Sequence, residues 1–180
     1  VGPDRRHRRD RLDIGRRVER SIQMTALLGC LLAAEDPEDD GSLILVLDIA
    51  DSFMTYRSRY LLTPQLAPVL DLLLLDETNP RSVTFQLEAM AAHLERLPRS
   101  GAVPSEGNAQ QIVHGLLAEL RLADIDGLSR KSRLGDRPGL KALLGNVTEE
   151  LSRLTTGIAR TYFSHADDGR SVSAAGIGSR

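Results

Sequence analysis

The sequence predicts an all-α protein with no sheet, a bundle of about six helices with long helices at both ends. Three observations carry that expectation. The apolar share is 41%, yet aromatics make up only 3% and Trp is absent, so leucine and alanine must fill the core, which favours helices over strands. Apolar residues recur at three- and four-residue spacing through segments too long for strands. Hydroxyl or amide residues followed by proline, as in Thr63-Pro64 and Asn79-Pro80, punctuate the chain where helices would start.

At 180 residues the chain suits one domain, residues 12–165, with a basic N-terminal stretch (1–11) and a small, polar tail (166–180) expected to be disordered. The first helix is expected from Leu12 to Ala34, buried in its second half. At about 100° per residue, Arg16 and Arg20 lie near the face of Met24, Leu27 and Leu31. Arg20 is therefore expected to be half buried and paired with Glu19 or an acid from another helix; the alternative is a surface pair between Arg16 and Glu19. Cys30, the single cysteine, is expected as a small buried hydrophobe, and with no secretory segment at the start a reducing cytoplasm is the expected compartment.

After an acidic loop, Glu35 to Gly41, one uninterrupted helix is expected from Leu43 to Leu62, with Ile49, Phe53, Tyr56 and Tyr60 along one stripe. Thr63-Pro64 opens a short helix through Leu75 whose VLDLLLLD run is apolar on nearly every side, so it should be the most enclosed. Asn79-Pro80 starts the next, ending before Pro98, with Val83, Leu87, Met90 and Leu94 inward. Further helices follow over Asn108 to Asp124 and Leu140 to His165, separated by a loop from Gly127 to Gly139. His93 and His114 read as ordinary helix residues. No metal, cofactor, phosphate-loop or nucleophile motif has the required spacing.

A net charge of -2 argues against a nucleic-acid footprint over the whole domain, although residues 1–20 carry eight arginines. No apolar run approaches the length of a membrane span. Two tyrosines and two arginines within five residues, Tyr56, Arg57, Arg59 and Tyr60, form a donor surface for a carboxylate or phosphate.

Four ordered segments, GRRVERSIQMTALL, DSFMTYRSRYL, LLLLDETNPRSVTFQLEAMAAHLERLP and YFSH, resemble the bacterial alpha-E domain family, an all-helical family named for a glutamate-arginine motif matched here by Glu19-Arg20. Family members are nearly twice this length, and the resemblance implies that the chain corresponds to their C-terminal half. It also implies a context, because such domains are encoded beside or fused to a circularly permuted ATP-grasp protein, often with a transglutaminase-like protein nearby. ATP-grasp enzymes join an activated carboxylate to an amine or thiol.

Three functions follow as expectations. In the first, the chain is a partner or substrate-presenting component of an ATP-grasp-type amide or peptide ligase. Arg20, Arg57, Arg59 and Arg81 would bind a carboxylate or phosphate, Tyr56 and Tyr60 would add hydrogen bonds, Asp76 and Asn79 would fix the loop, and Gln86 would stand beside them. In the second, the same motifs are buried clips that set helix register, the arginines pairing with Glu19, Asp51 and Asp76. In the third, the chain is an enzyme using Glu19, Asp76 or His165 as acid or base. A homo-oligomer is compatible with each.

Overall fold

The computed structural model describes residues 3–33, 39–61, 63–96 and 104–168, with side chains over 9–33, 41–61, 63–96 and 109–157. Every regular element among the described residues is helical, as the sequence predicts. The elements are α1 (Pro3–Leu32), α2 (Asp39–Ile49), α3 (Phe53–Tyr60), α4 (Leu66–Leu70), a π-helical turn (Asp71–Leu75), α5 (Val83–Arg96), α6 (Pro104–Arg121), α7 (Ile125–Ser129) and α8 (Pro138–Asp168). The four long helices pack in a ring in which α1 touches α5 and α8, and α6 closes it from the other side. No described helix is long and apolar enough to cross a membrane.

A helix lies within each expected span, but α1 begins at Pro3 and not at Leu12, the helix expected to open at Thr63-Pro64 starts only at Leu66 after an extended Gln65, and the one from Leu43 to Leu62 is broken. After Ile49 the backbone folds into a Schellman end. Asp51 takes a left-handed φ of 50°, its N–H reaches Asp48 O at 3.0 Å, and Ser52 N–H reaches Leu47 O at 2.8 Å. Aspartate tolerates that conformation better than most residues, so the chain stops a helix with no Gly or Pro to announce it. The break removes Ile49 from the expected stripe. It is 59% exposed, whereas Tyr56 is fully buried and Phe53 and Tyr60 are half buried against the core.

The leucine-rich run is the centre of the core. Val69, Leu70, Leu72, Leu73 and Leu74 have no exposed surface. Its last turn widens to a π-helix, in which Asp76 N–H bonds back to Asp71 O at 2.8 Å. Carbonyls at a helix end need new donors, and the DETNPRSVT segment supplies them from side chains. Asn79 Nδ2 donates to Leu72 O and Thr84 Oγ1 to Leu74 O, each at 2.8 Å, while Ser82 Oγ donates to Asp76 O. Ser82 Oγ also accepts from Phe85 N–H at 3.0 Å, so it caps α5, which starts at Val83 and not at Pro80 as the sequence suggested. Asn79 instead makes a turn, its side-chain oxygen accepting from Arg81 N–H at 3.1 Å.

The loop expected between Gly127 and Gly139 contains the end of α7 and a buried cation. Arg137 is 2% exposed and donates to Leu32 O at 2.7 Å, closing the C-terminal end of α1 with a positive charge where the helix dipole favours one.

Candidate functional site

The core side of α1 is the stripe Ile14, Val18, Ser21, Thr25, Leu28 and Leu32, all buried. Met24 is buried as well, and Leu27 and Leu31 are half buried at the edge of this face, so the face expected from those three residues lies to one side of the observed one, which corrects the expectation for the arginines. Arg20 is exposed, and Arg17 turns inward. Arg16 pairs with Asp13 at 3.6 Å and not with Glu19, which is exposed and meets Gln23 at 3.5 Å. Cys30 is likewise exposed, lining a second groove of about 760 Å³ between α1 and α8.

Arg17 was missed as a site residue, although its spacing to Ile14, Ser21 and Leu28 put it on the buried stripe. Its guanidinium lies 6.0 Å from the centre of the Phe85 ring, and Nη1 donates to Gln86 Oε1 at 3.1 Å. Burial lowers its pKa, with nearby Asp13 opposing and Arg20 adding to the effect. Its Nε is buried with no hydrogen-bond partner among the described residues. A half-buried cation held by a neutral amide is only partly compensated.

Gln86 is the link from Arg17 to an open groove of about 540 Å³, lined by Arg20, Gln23, Met24, Ala26, Leu27, Ile49, Ala50, Pro80, Arg81 and Gln86. Gln86 is held in place because its Nε2 also donates to Pro80 O at 2.5 Å. Arg81 enters from the loop after the π-turn, and its guanidinium meets Asp51 at 2.6 Å with the two side chains 52% and 82% exposed. Such an exposed pair is weak and exchanges readily with water or a ligand. Two arginines and two glutamines therefore share the lining with the apolar Met24, Ala26, Leu27, Ile49 and Ala50. No carboxylate is among the described lining residues.

The other expected site residues form a separate cluster that is already saturated. Arg59 is bound to the Asp76 carboxylate and to Thr78 Oγ1 at 3.0 Å. Burial pushes the Asp76 carboxyl up, but hydrogen bonds from Thr78 and from Arg59 outweigh it and hold the pKa below the ordinary value. Tyr60 donates to Asp71 at 2.5 Å, and burial followed by that hydrogen bond raises its pKa. The Tyr56 hydroxyl donates to Thr63 O at 3.3 Å and accepts from Gln65 N–H at 3.0 Å. Its ring packs 5.0 Å from that of Tyr60. Arg57 points to solvent. The expected seam thus divides, with Arg20, Arg81 and Gln86 in the groove and Tyr56, Arg59, Tyr60, Asp76 and Asn79 clipping α3 and the loop to the π-turn. The side chain of His165 lies outside the described residues.

His93 is more than an ordinary helix residue. Its Nδ1 lies 2.8 Å from Asp10 Oδ1 and 2.7 Å from the Arg96 guanidinium, tying α5 to the N-terminal part of α1. Among the described residues no group of three or more His, Cys, Asp or Glu is placed to hold a metal ion.

The Alpha-E family model, described as "a predicted alpha-helical domain with a conserved ER motif", matches residues 5–163. Uncharacterized proteins of Mycobacterium bovis and Mycobacterium tuberculosis are each 32% identical over 142 residues. The match covers 78% of this chain and 16% of each relative, so the chain spans a small part of their length. No solved structure matches significantly.

Proposed function

Because the chain belongs to the Alpha-E family of alpha-helical domains with a conserved ER motif, we propose that it is a cytoplasmic partner or substrate-presenting component of an ATP-grasp-type amide or peptide ligase. Its groove takes the carboxylate or phosphate of a substrate or of the ligase. One observation supports the anion site above the others. Arg20, the arginine of the Glu19-Arg20 motif, stands exposed on a wall that also carries Arg81 and has no carboxylate among its described lining residues. The Arg20 side chain makes no hydrogen bond to another described residue, and the Arg81–Asp51 pair is exposed enough to yield to a better acceptor. Arg17, behind Gln86, adds positive potential without an ion-pair partner of its own among the described residues.

The second reading, buried clips that set register, is favoured for the other motif residues by their mutual saturation. Asp76, Asn79, Ser82 and Thr84 spend their polar atoms on the end of the π-turn and its loop.

Co-expression with the ATP-grasp protein encoded nearest to this chain, followed by size-exclusion chromatography and an ATP-hydrolysis assay, tests the proposal. A stable complex with altered turnover, both lost in Arg20→Gln, is expected. A chain that neither binds that protein nor changes its turnover would overturn the ligase reading.

A further inference from the structure

The groove residues Arg20, Met24 and Leu27 stand four and three positions apart, so they share one side of α1, and Leu27 is about 10 Å along the helix axis from Arg20. This wall therefore passes from a guanidinium to apolar side chains within two turns. The end of α2 adds Ile49 and Ala50 to the lining. Ile49 is 59% exposed and Leu27 is half buried, so apolar surface stands uncovered in the same groove as the two arginines. A bare anion would leave that surface in water, where it costs free energy in proportion to its area.

On the reading that this groove binds an anion, we propose that the anion is the C-terminal carboxylate of a peptide whose last side chain is apolar. Arg20 and Arg81 take the carboxylate, and the terminal side chain covers Leu27 and Ile49. The Arg81–Asp51 pair supplies the third contact. Its two charged groups lie 2.6 Å apart and are largely exposed, so a ligand carboxylate that takes over Arg81 releases Asp51. Asp51 then accepts a hydrogen bond from a donor next to the incoming carboxylate. At the end of a peptide that donor is the last N–H, two bonds from the carboxylate carbon and on the same carbon that bears the side chain. A carboxylate, an N–H and an apolar group on one carbon thus match Arg20 and Arg81, Asp51, and Leu27 with Ile49. A phosphate monoester fits less well. At about -1.5 to -2 charge it meets up to twice the repulsion from Asp51 that a carboxylate does, and it offers no N–H in exchange. An alkyl carboxylate covers the apolar side chains but leaves Asp51 without a donor from the ligand.

Titration of the isotope-labelled full chain with N-acetylleucine, N-acetylglycine, isocaproate and inorganic phosphate, at fixed ionic strength and followed by amide chemical shifts, tests the assignment. N-acetylleucine is expected to bind about tenfold more tightly than N-acetylglycine, because its side chain leaves water. It should also bind about fivefold more tightly than isocaproate, which carries the same alkyl end without the N–H, and more tightly than phosphate. Arg20→Gln is expected to weaken N-acetylleucine at least tenfold. Ile49→Ser, at an exposed position where circular dichroism should not change, is expected to cut the preference for N-acetylleucine over N-acetylglycine to less than about threefold. N-acetylglycine, isocaproate or phosphate binding as tightly as N-acetylleucine, with each lost in Arg20→Gln, would overturn the peptide end as ligand and leave the anion groove standing. So would a preference for N-acetylleucine that Ile49→Ser leaves intact. Failure of all four compounds to bind, or binding that Arg20→Gln does not change, would overturn the anion groove and the peptide end together.

Discussion

Arg20 faces an open groove, while Asp76 is enclosed by Thr78 and Arg59, so substitutions at the two residues should separate binding from stability. Arg20→Gln removes an exposed charge that makes no hydrogen bond to another described residue. Stability is expected to stay within about 0.5 kcal/mol of wild type, while binding of a carboxylate or phosphate ligand, followed by calorimetry, falls at least tenfold. Asp76→Asn is expected to cost about 1–2 kcal/mol at pH 7 in urea denaturation, since it weakens the bonds from Thr78 and Arg59, the latter trimmed by solvent screening. The Asp76 carboxyl is held below its ordinary pKa. Its contribution is therefore present above the unfolded value of about 3.9 and is lost as pH falls through the folded one, so the gap between wild type and variant should narrow below about pH 4.

Helices α2 to α5 are shaped by their ends. Asn79 is 4% exposed and serves the π-turn and its own loop at once. Asn79→Ala leaves Leu72 O without its donor and is expected to cost about 2–3 kcal/mol, read by urea denaturation, with the anion groove distorted through Arg81. At the other end of α3, Leu61 holds a left-handed φ of 52° while 85% of its surface is exposed. Leu61→Gly relieves that conformation and gives up little packing. It should stabilise the chain by about 0.5–1 kcal/mol, seen as a higher melting temperature. Neither end was visible in composition, because an αL position filled by Asp or Leu carries no glycine signal.

Across the whole molecule, α1, α5, α6 and α8 form the ring, and the π-turn leucines pack against its α5 and α6 members. Leu73 has no exposed surface, and Leu73→Ala is expected to destabilise by about 3–4 kcal/mol, the transfer loss plus the cavity left behind, measured by the same denaturation. Long-range polar ties complete the ring. Arg137 closes α1 from the start of α8, and the Asp10–His93 contact joins α1 to α5.

The sequence alone determined the all-α class, the positions of the long helices and the burial of the VLDLLLLD run, because helical periodicity and leucine content are local properties that survive in any packing. It also brought out the residues that carry the family resemblance. The tertiary structure decided which of them face solvent. One residue of phase on α1 exchanged Arg17 for Arg20, and a Schellman end at Asp51 turned Ile49 outward, because the side a helix buries depends on neighbours far away in the chain. For the same reason the expected arginine seam became two places. Arg59 found Asp76 and was neutralised, whereas Arg20 lines the groove with Arg81 and forms no ion pair with a described residue, since pairing of charges is settled by distance in the fold and not by spacing along the chain.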